Sequence, residues 1–438
     1  MRPGPDDAAA DVPSGSVALL TAYVTFVVAI PSRLIFAPLG GAGTPAEMLG
    51  LAMFVLWLFR RIASPRVSRI RSTLRIAMAL FCIAMLTSYV AAATRPISPV
   101  ELTAADRGLV SVLSWLGAFL FAADMIVTRE ALDVLLRRLS VGAGALAALG
   151  LAQFATGLAF TNYLQIPGLS INGDLVSIAS RGSLARPAGT AIHPIEFGAV
   201  LTMVLPIALH YALADRHRPL LARWFPVAMI AFAVPISTSR SAIVSAAVVL
   251  AFMLPIWPKD LRRKAYVAIG LVVMCCYVLV PGLVGTIIGL FTGVSGDAST
   301  KSRTDSYALA WDLLRRAPVF GRGFRTFLPA YRIFDNQYLG TAIETGAVGL
   351  VMLLAILGTG VARARAVRRR SDDPNTRQLG QAMAAAIAAT GISFALFDGL
   401  SFPMVTSLLF LVLGCVAALD RLVAVPVVSI QRSRPSAA

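Results

Sequence analysis

Long apolar runs recur along the chain, broken by short stretches rich in Arg, Pro and Gly. At roughly 17–25 residues, each run is long enough to cross a ~30 Å hydrocarbon core as a helix. Divided at their polar boundaries, the runs predict twelve spans, near 17–37, 44–59, 75–94, 108–127, 139–159, 193–214, 224–238, 241–257, 265–291, 339–361, 379–398 and 401–419. The two members of the pair at 224–257 are short and meet at the polar sequence STSRS. The predicted fold class is all-α: a polytopic transmembrane helix bundle of about twelve spans.

Most connections are short, but 160–192 and 292–338 are longer than joining neighbouring helices requires, and long loops in compact folds are usually functional. The expected organisation is a disordered cytoplasmic tail (1–16), spans one to nine (17–291), a large extracytoplasmic loop with an amphipathic helix (292–338), spans ten to twelve (339–419) and a second cytoplasmic tail (420–438). The opening residues lack the basic region that precedes a cleaved signal. No internal repeat is visible, which weighs against an inverted-repeat transporter.

Placing the N-terminus inside brings RRIASPRVSRIRSTLR, REALDVLLRR, DRHRPLLAR, KDLRRK and RARAVRRRSDDPNTRQ to the cytoplasmic face. About two-thirds of the Lys and Arg then lie inside while the acidic residues divide evenly, as the positive-inside rule expects. Both termini are read as cytoplasmic, the membrane as the cytoplasmic (inner) one, and the working surface as extracytoplasmic.

Composition sharpens this. At 57% hydrophobic and 14% charged residues, a water-soluble chain is excluded. The net charge of +17 has no soluble domain to carry a nucleic-acid groove, so the cations set topology and no nucleic-acid partner is expected. Cys82, Cys275, Cys276 and Cys415 all fall inside apolar runs and form neither a secreted disulfide framework nor a CxxC metal pair. With three His and no HExxH, GxxxxGK[ST] or GxSxG, the chain offers no zinc, ATP-hydrolysis or α/β-hydrolase signature. No metal and no cofactor is expected.

The outward loops nevertheless carry Arg where topology does not require it: Arg186 in RPAGTAIHP, Arg240 in STSRSA, and Arg303, Arg315, Arg316, Arg322, Arg325 and Arg332 in the second long loop. A guanidinium binds phosphate bidentately and stays charged in a low dielectric, so these point to an anionic lipid-linked ligand. Arg240 interrupts two apolar runs, where an Arg is costly unless paired, functional or snorkelling to headgroups. Arg315 and Arg316 read as cations closing a helix. Ser299 to Arg316 predicts an amphipathic helix, capped by Ser302 with Asp305 three positions on, and with Tyr307, Trp311 and Leu314 on one face. It is either a substrate lid lying on the membrane or a structural cover. Pro318 stops it, and Gly321 and Gly323 permit a tight turn.

Asp335 and Asn336 precede span ten. Asp335 is a candidate general base towards an acceptor hydroxyl and Asn336 orients a sugar or the base; equally, the pair reads as a helix N-cap. Glu344 is either a buried network member or a second acid–base candidate. His193 and Glu196 open span six on one face, with His193 read mainly as a helix-entry residue stiffened by Pro194.

The segments RPAGTAIHPIEFGAVLTMVLPIAL, ISTSRSAIVSAAVVL, SRTDSYALAWDLLRRAPVFGRGFRTF and DNQYLGTAIETGAVGLVMLL, in that order and spacing over residues 186–354, resemble the O-antigen ligase and polymerase superfamily of bacterial membrane glycosyltransferases. The resemblance implies a metal-independent transferase that passes a glycan from undecaprenyl diphosphate to an acceptor hydroxyl, on a glycan or a lipid, at the outer face. It places Arg186 and Arg240 at the family's diphosphate-binding arginines and Arg303 at the basic residue opening the loop helix. Asp335 stands where ligases carry a His before the Asn, which weakens ligase relative to polymerase or another glycan transferase of the same fold. The implied site has Asp335 and Arg240 as catalytic residues, and Arg186, Arg303, Arg322, His193, Asn336 and Glu344 contacting or shaping the substrate. Products in view are lipopolysaccharide, capsule or exopolysaccharide. A transporter or flippase of lipid-linked glycans is the alternative from another class, and a non-catalytic partner of other polysaccharide-assembly proteins is a third reading.

Overall fold

The computed structural model describes residues 14–63, 72–173, 178–181, 184–292 and 298–424, without the side chains of 14, 179, 181 and 298–306. The chain is nearly all helical: α1 (Ser14–Ala29), α2 (Pro45–Ala63), α3 (Thr73–Ala93), α4 (Pro99–Met125), α5 (Arg129–Thr156), α6 (Pro194–Ala214), α7 (Leu220–Ile236), α8 (Arg240–Met253), α9 (Lys259–Leu279), α10 (Leu283–Thr292), α11 (Ala298–Arg316), α12 (Gln337–Arg370), α13 (Pro374–Ser393) and α14 (Pro403–Ala424). Two short antiparallel pairs interrupt it: Leu34–Ile35 against Ser170–Ile171, and Ala179–Arg181 against Leu184–Arg186.

Each of the twelve apolar runs falls on a helix or a bent helix pair, but they are not alike. Among the described residues, six helices are long and apolar enough to cross a membrane: α3, α4, α5, α6, α12 and α14. The count rises to eight if two bent pairs each make one span, the turn Ala37–Gly43 with α2 and α9 with α10, bent by 86° and 108°. The helices at 15–29, 220–236 and 240–256 are shorter, and α13 is too weakly apolar to count. Proline explains the short pair, since Pro235 near the end of α7 and Pro255 beyond α8 limit continuous helix. This is a multi-pass membrane protein whose described residues hold six to eight long apolar spans rather than twelve equivalent ones.

The helices meet through small residues, as expected where lipid removes any hydrophobic drive between them. At the α2–α4 crossing, a Cβ on Gly117 would overlap the Gly50 carbonyl and lie 2.7 Å from the Phe54 nitrogen, and one on Gly50 would meet Ser114. Gly117→Leu should therefore force the helices apart, at about 3 kcal/mol or more because backbone cannot yield as a side chain does. The check is a lowered melting temperature in detergent; an unchanged one would contradict the close crossing.

One end of the bundle is belted by ion pairs. Asp124 binds Arg75 and the Trp57 indole (2.7 Å), with Arg421 at 3.8 Å, joining the ends of α2, α3, α4 and α14. Arg137 grips Asp215 (2.6 Å), and Asp420 takes Arg363 (2.6 Å) and Arg370 (3.4 Å). These cations come from the clusters assigned to the cytoplasmic face, and they close helix ends that would otherwise expose charge to lipid.

Candidate active site

At the opposite end the defining feature is a break in α12. Gly346 takes φ 66° and ψ −166°, outside helical space, so the carbonyls before it and the amides after it lose their partners within the helix. The segment after Pro318 supplies them. The Arg322 and Gly323 amides donate to the Ile343 and Glu344 carbonyls (3.1 and 2.8 Å), and the Ala347 and Val348 amides donate to the Pro318 and Val319 carbonyls (2.9 and 3.2 Å). Gly321 (φ 70°) makes the docking possible, because a Cβ there would overlap the Glu344–Thr345 peptide. Irregular backbone inside a membrane protein is tolerated where it lines a cavity. Here it aims Glu344 into one.

That cavity, of about 300 Å3, lies between α2, α4, the 324–337 segment and the turn before α14. Three arginines (Arg107, Arg325, Arg332) and three carboxylates (Glu47, Glu344, Asp398) line it. Glu344 accepts from the Phe327 amide (3.2 Å), and Glu47 is 3% exposed in the first turn of α2. Arg325 sits at φ 64° and donates to the Leu400 carbonyl (2.6 Å). The start of α12 is tied to the turn carrying Asp398 by Gln337. Its amide donates to the Phe394 carbonyl (2.7 Å), and its side chain accepts from Leu400 (2.7 Å) and donates to Thr341 (2.9 Å). This brings Asp335 beside Asp398.

Burial pushes the Asp398 carboxyl up from 3.8 to about 6, with the Asp335 carboxylate adding to the rise and Arg325 opposing it. A carboxyl whose folded pKa exceeds its unfolded value takes up protons on folding, so its cost is absent below about pH 4 and complete above about pH 6. Asp398→Asn should then raise stability by about 3 kcal/mol at pH 7, with little gain near pH 4. Melting curves at the two pH values test this, and equal shifts at both would refute the burial cost.

A second, smaller cavity of about 60 Å3 shares Ile192 with the first and is lined by Arg33, Gln153, Arg186 and His193. Its wall is the RPAGTAIHP segment, held by Gln153, which donates to the Gly189 carbonyl (3.1 Å) and accepts from the Gly189 amide (2.7 Å). Arg186, 9% exposed, reaches the Ser237 carbonyl (3.4 Å) in the α7–α8 turn, three residues before Arg240 opens α8. Thr238 in that turn has φ 44°. Thr238 and Arg325 are the two non-glycine residues with positive φ among the described residues, and such strain gathers at functional sites.

The sequence-derived candidates therefore separate into groups. Arg186, His193 and Arg240 gather around the 237–240 turn and the smaller cavity; Glu344 lines the larger one, and Asp335 lies outside its lining, beside Asp398. His193 Nδ1 accepts from the Ile195 amide (3.1 Å), which makes it the cap of α6. Glu196, one turn on, accepts from Ile192 (2.8 Å) and from Met404 at the start of α14 (2.7 Å). Asn336 caps α12, accepting from Tyr338 (3.0 Å) and Leu339 (3.2 Å), the plainer of its two readings. Arg322 pairs with Glu101 and stacks over Phe327 (5.4 Å) and Tyr331 (5.6 Å), outside the lining of the larger cavity. With Arg95 on the same carboxylate (3.1 Å), it pins the 322–331 segment to α4. The Arg303 side chain lies outside the described residues, as do 1–13 and 425–438 of the two tails. The loop helix starts at Ala298, four residues before the expected Ser302 cap, and buries Ala310 while Tyr307 and Trp311 stay exposed. Glu47, Arg107 and Asp398 were not foreseen: the first two sit in apolar or mixed helix sequence, and Asp398 sits in an apolar run's terminal turn.

The family model described as O-antigen ligase matches residues 225–354, from α7 through the break in α12. That stretch is similar to the O-antigen ligase family and supports the O-antigen ligase and polymerase superfamily. The matched stretch contains Arg240, Arg325, Asp335 and Glu344, whereas Arg186 and His193 precede it. No curated protein matches the chain. The matched family implies a lipid-linked glycan and an acceptor as partners in general terms.

Proposed function

We propose that this protein transfers a glycan from undecaprenyl diphosphate to an acceptor hydroxyl at the outer face of the cytoplasmic membrane. The observation that carries the reading is the pair of adjoining cavities at the end of the bundle opposite the ion-pair belt. One is walled by Arg186, close to the turn that carries Arg240. The other is lined by Asp398 and three arginines, with Asp335 next to Asp398 just outside the lining. In the step, a carboxylate takes the acceptor hydroxyl proton as the oxygen attacks the anomeric carbon, and the bond from that carbon to the diphosphate oxygen breaks. The electron pair leaves with the diphosphate, where guanidinium groups stabilise the developing charge in a water-poor setting. Arg186 and Arg240 serve as the donor clamp and Asp335 as the base. Glu344, His193 and Asn336 hold the walls and helix starts that shape the site.

The test is transfer by the purified protein in nanodiscs, supplied with undecaprenyl-diphosphate oligosaccharide and no added metal or nucleotide. Ladders of repeat units identify a polymerase, and a single addition to a separate acceptor identifies a ligase. Passage of labelled donor across the bilayer without product would replace the proposal with a flippase. Normal turnover in Asp335→Asn would remove Asp335 as base.

A further inference from the structure

At the belted end of the bundle one group of cations breaks the pattern. Arg75, Arg137, Arg363, Arg370 and Arg421 each meet a carboxylate. Arg365, Arg368 and Arg369, on the last turns of α12, meet none among the described residues, although they sit together. They line a concave site of about 280 Å3 whose other wall is Ala251, Phe252, Pro255 and Ile256 from the end of α8, with Gln381 of α13 at its base. Two of the three guanidinium groups are held in place by neutral partners. Arg368 donates to Gln381 Oε1 (3.1 Å), and Gln381, 3% exposed, is itself anchored by donating to the Phe252 carbonyl (2.8 Å). Arg365 lies 4.9 Å over the Phe252 ring. Asp373, the acidic residue nearest in sequence to the pocket that is already engaged, accepts from Asn375 and Thr376 at the start of α13.

Holding three like charges together without a counter-ion is costly, and the cost is recovered when an anion binds. Depth identifies the anion's source. The 22 residues from Gly346 to Arg368 put this pocket about 33 Å from the break in α12, the distance between opposite headgroup regions of a bilayer. An apolar wall beside a trio of arginines at headgroup depth matches a phosphate with acyl chains attached. We propose that this pocket binds the headgroup of an anionic phospholipid from the leaflet opposite the candidate active site, with Arg365, Arg368 and Arg369 around the phosphate and the α8 residues against the glycerol and upper acyl chains. It is independent of the transfer chemistry.

The experiment uses the full chain in phosphatidylcholine nanodiscs containing phosphatidylglycerol as a minor component, with retained lipid counted by native mass spectrometry after extraction. The wild type should keep phosphatidylglycerol selectively. The triple variant Arg365→Gln, Arg368→Gln, Arg369→Gln should lose it by roughly a hundredfold in affinity. A control carrying Lys259→Gln, Arg262→Gln and Arg263→Gln, which removes as much charge from the start of α9, should keep it. Arg369→Gln alone, at an exposed position, should weaken retention about fivefold if the triple variant does not fold. Equal loss in the control, undiminished retention in the pocket variants, or displacement of the lipid by millimolar inorganic phosphate would each overturn the proposal.

Discussion

Arg240→Ala is expected to lower glycan transfer from undecaprenyl diphosphate roughly 10²–10³-fold while the protein still inserts and melts near the wild-type temperature. The reason is positional. Arg240 opens α8 directly after the strained turn at Thr238, and Arg186 reaches the same turn through the Ser237 carbonyl, so both guanidinium-bearing residues are pinned to one backbone feature. A departing diphosphate gains negative charge as the glycosidic bond breaks, and a fixed planar cation stabilises that charge most where water is scarce. Because the effect lies in the transition state, kcat should fall more than KM rises. Arg240→Lys should recover only part of the loss, since an ammonium cannot make two parallel hydrogen bonds to a phosphate. Turnover measured in nanodiscs with purified donor decides it, and wild-type kcat in the alanine variant would take Arg240 out of the clamp.

The second large effect concerns the break in α12. Gly346→Val should cost about 3 kcal/mol or more and abolish transfer together with stability. Its φ of 66° with ψ of −166° is nearly closed to any residue with a side chain, and a Cβ would also overlap the Val319 carbonyl. The substitution therefore undocks the 318–323 segment, leaves the Ile343 carbonyl unbonded and the Glu344 carbonyl with the Ser88 hydroxyl alone (2.8 Å), and moves Glu344 and Arg325 out of the cavity wall. Gly358→Val, in the same helix with open space around the added Cβ, is the control and should melt close to wild type. Size-exclusion profiles after heating compare the two directly; equal melting temperatures would mean that the break does not need glycine.

Taken together, these variants separate chemistry from architecture. Loss at Arg240 with an intact fold points to the donor. Loss at Gly346 with a damaged fold points to the scaffold that aims the side chains. Asp398 adds a third behaviour, stability gained at pH 7 when a buried carboxyl is neutralised, as expected of a group kept at a site despite its cost.

Much of the candidate site was legible because arginine in an outward apolar context is conspicuous. Arg186 and Arg240 stood out in RPAGTAIHP and STSRSA, and the structure brings them to one turn although 54 positions separate them. Asn336 and His193 were legible as helix starts, and that is where both are found. Arg322 looked equivalent to its neighbours in sequence; only folding showed that Glu101, 221 positions away, takes its charge. Glu47, Arg107 and Asp398 could not be read from the chain, since the meaning of each comes from what faces it.

The sequence by itself determined the membrane environment, the helical class, the approximate position of each helix though not its ends, and which segments carry the excess cations. Those follow from local hydropathy, prolines and charge, which act over one helix at a time. The tertiary structure alone decided which apolar helices run long enough to cross and which are bent or short. It also decided that α12 breaks at Gly346 to receive a distant loop, and which arginines are neutralised by carboxylates and which are left for an anion. Those outcomes depend on close packing and pairwise charge contacts between segments far apart in the chain, and no periodicity along a single segment encodes them.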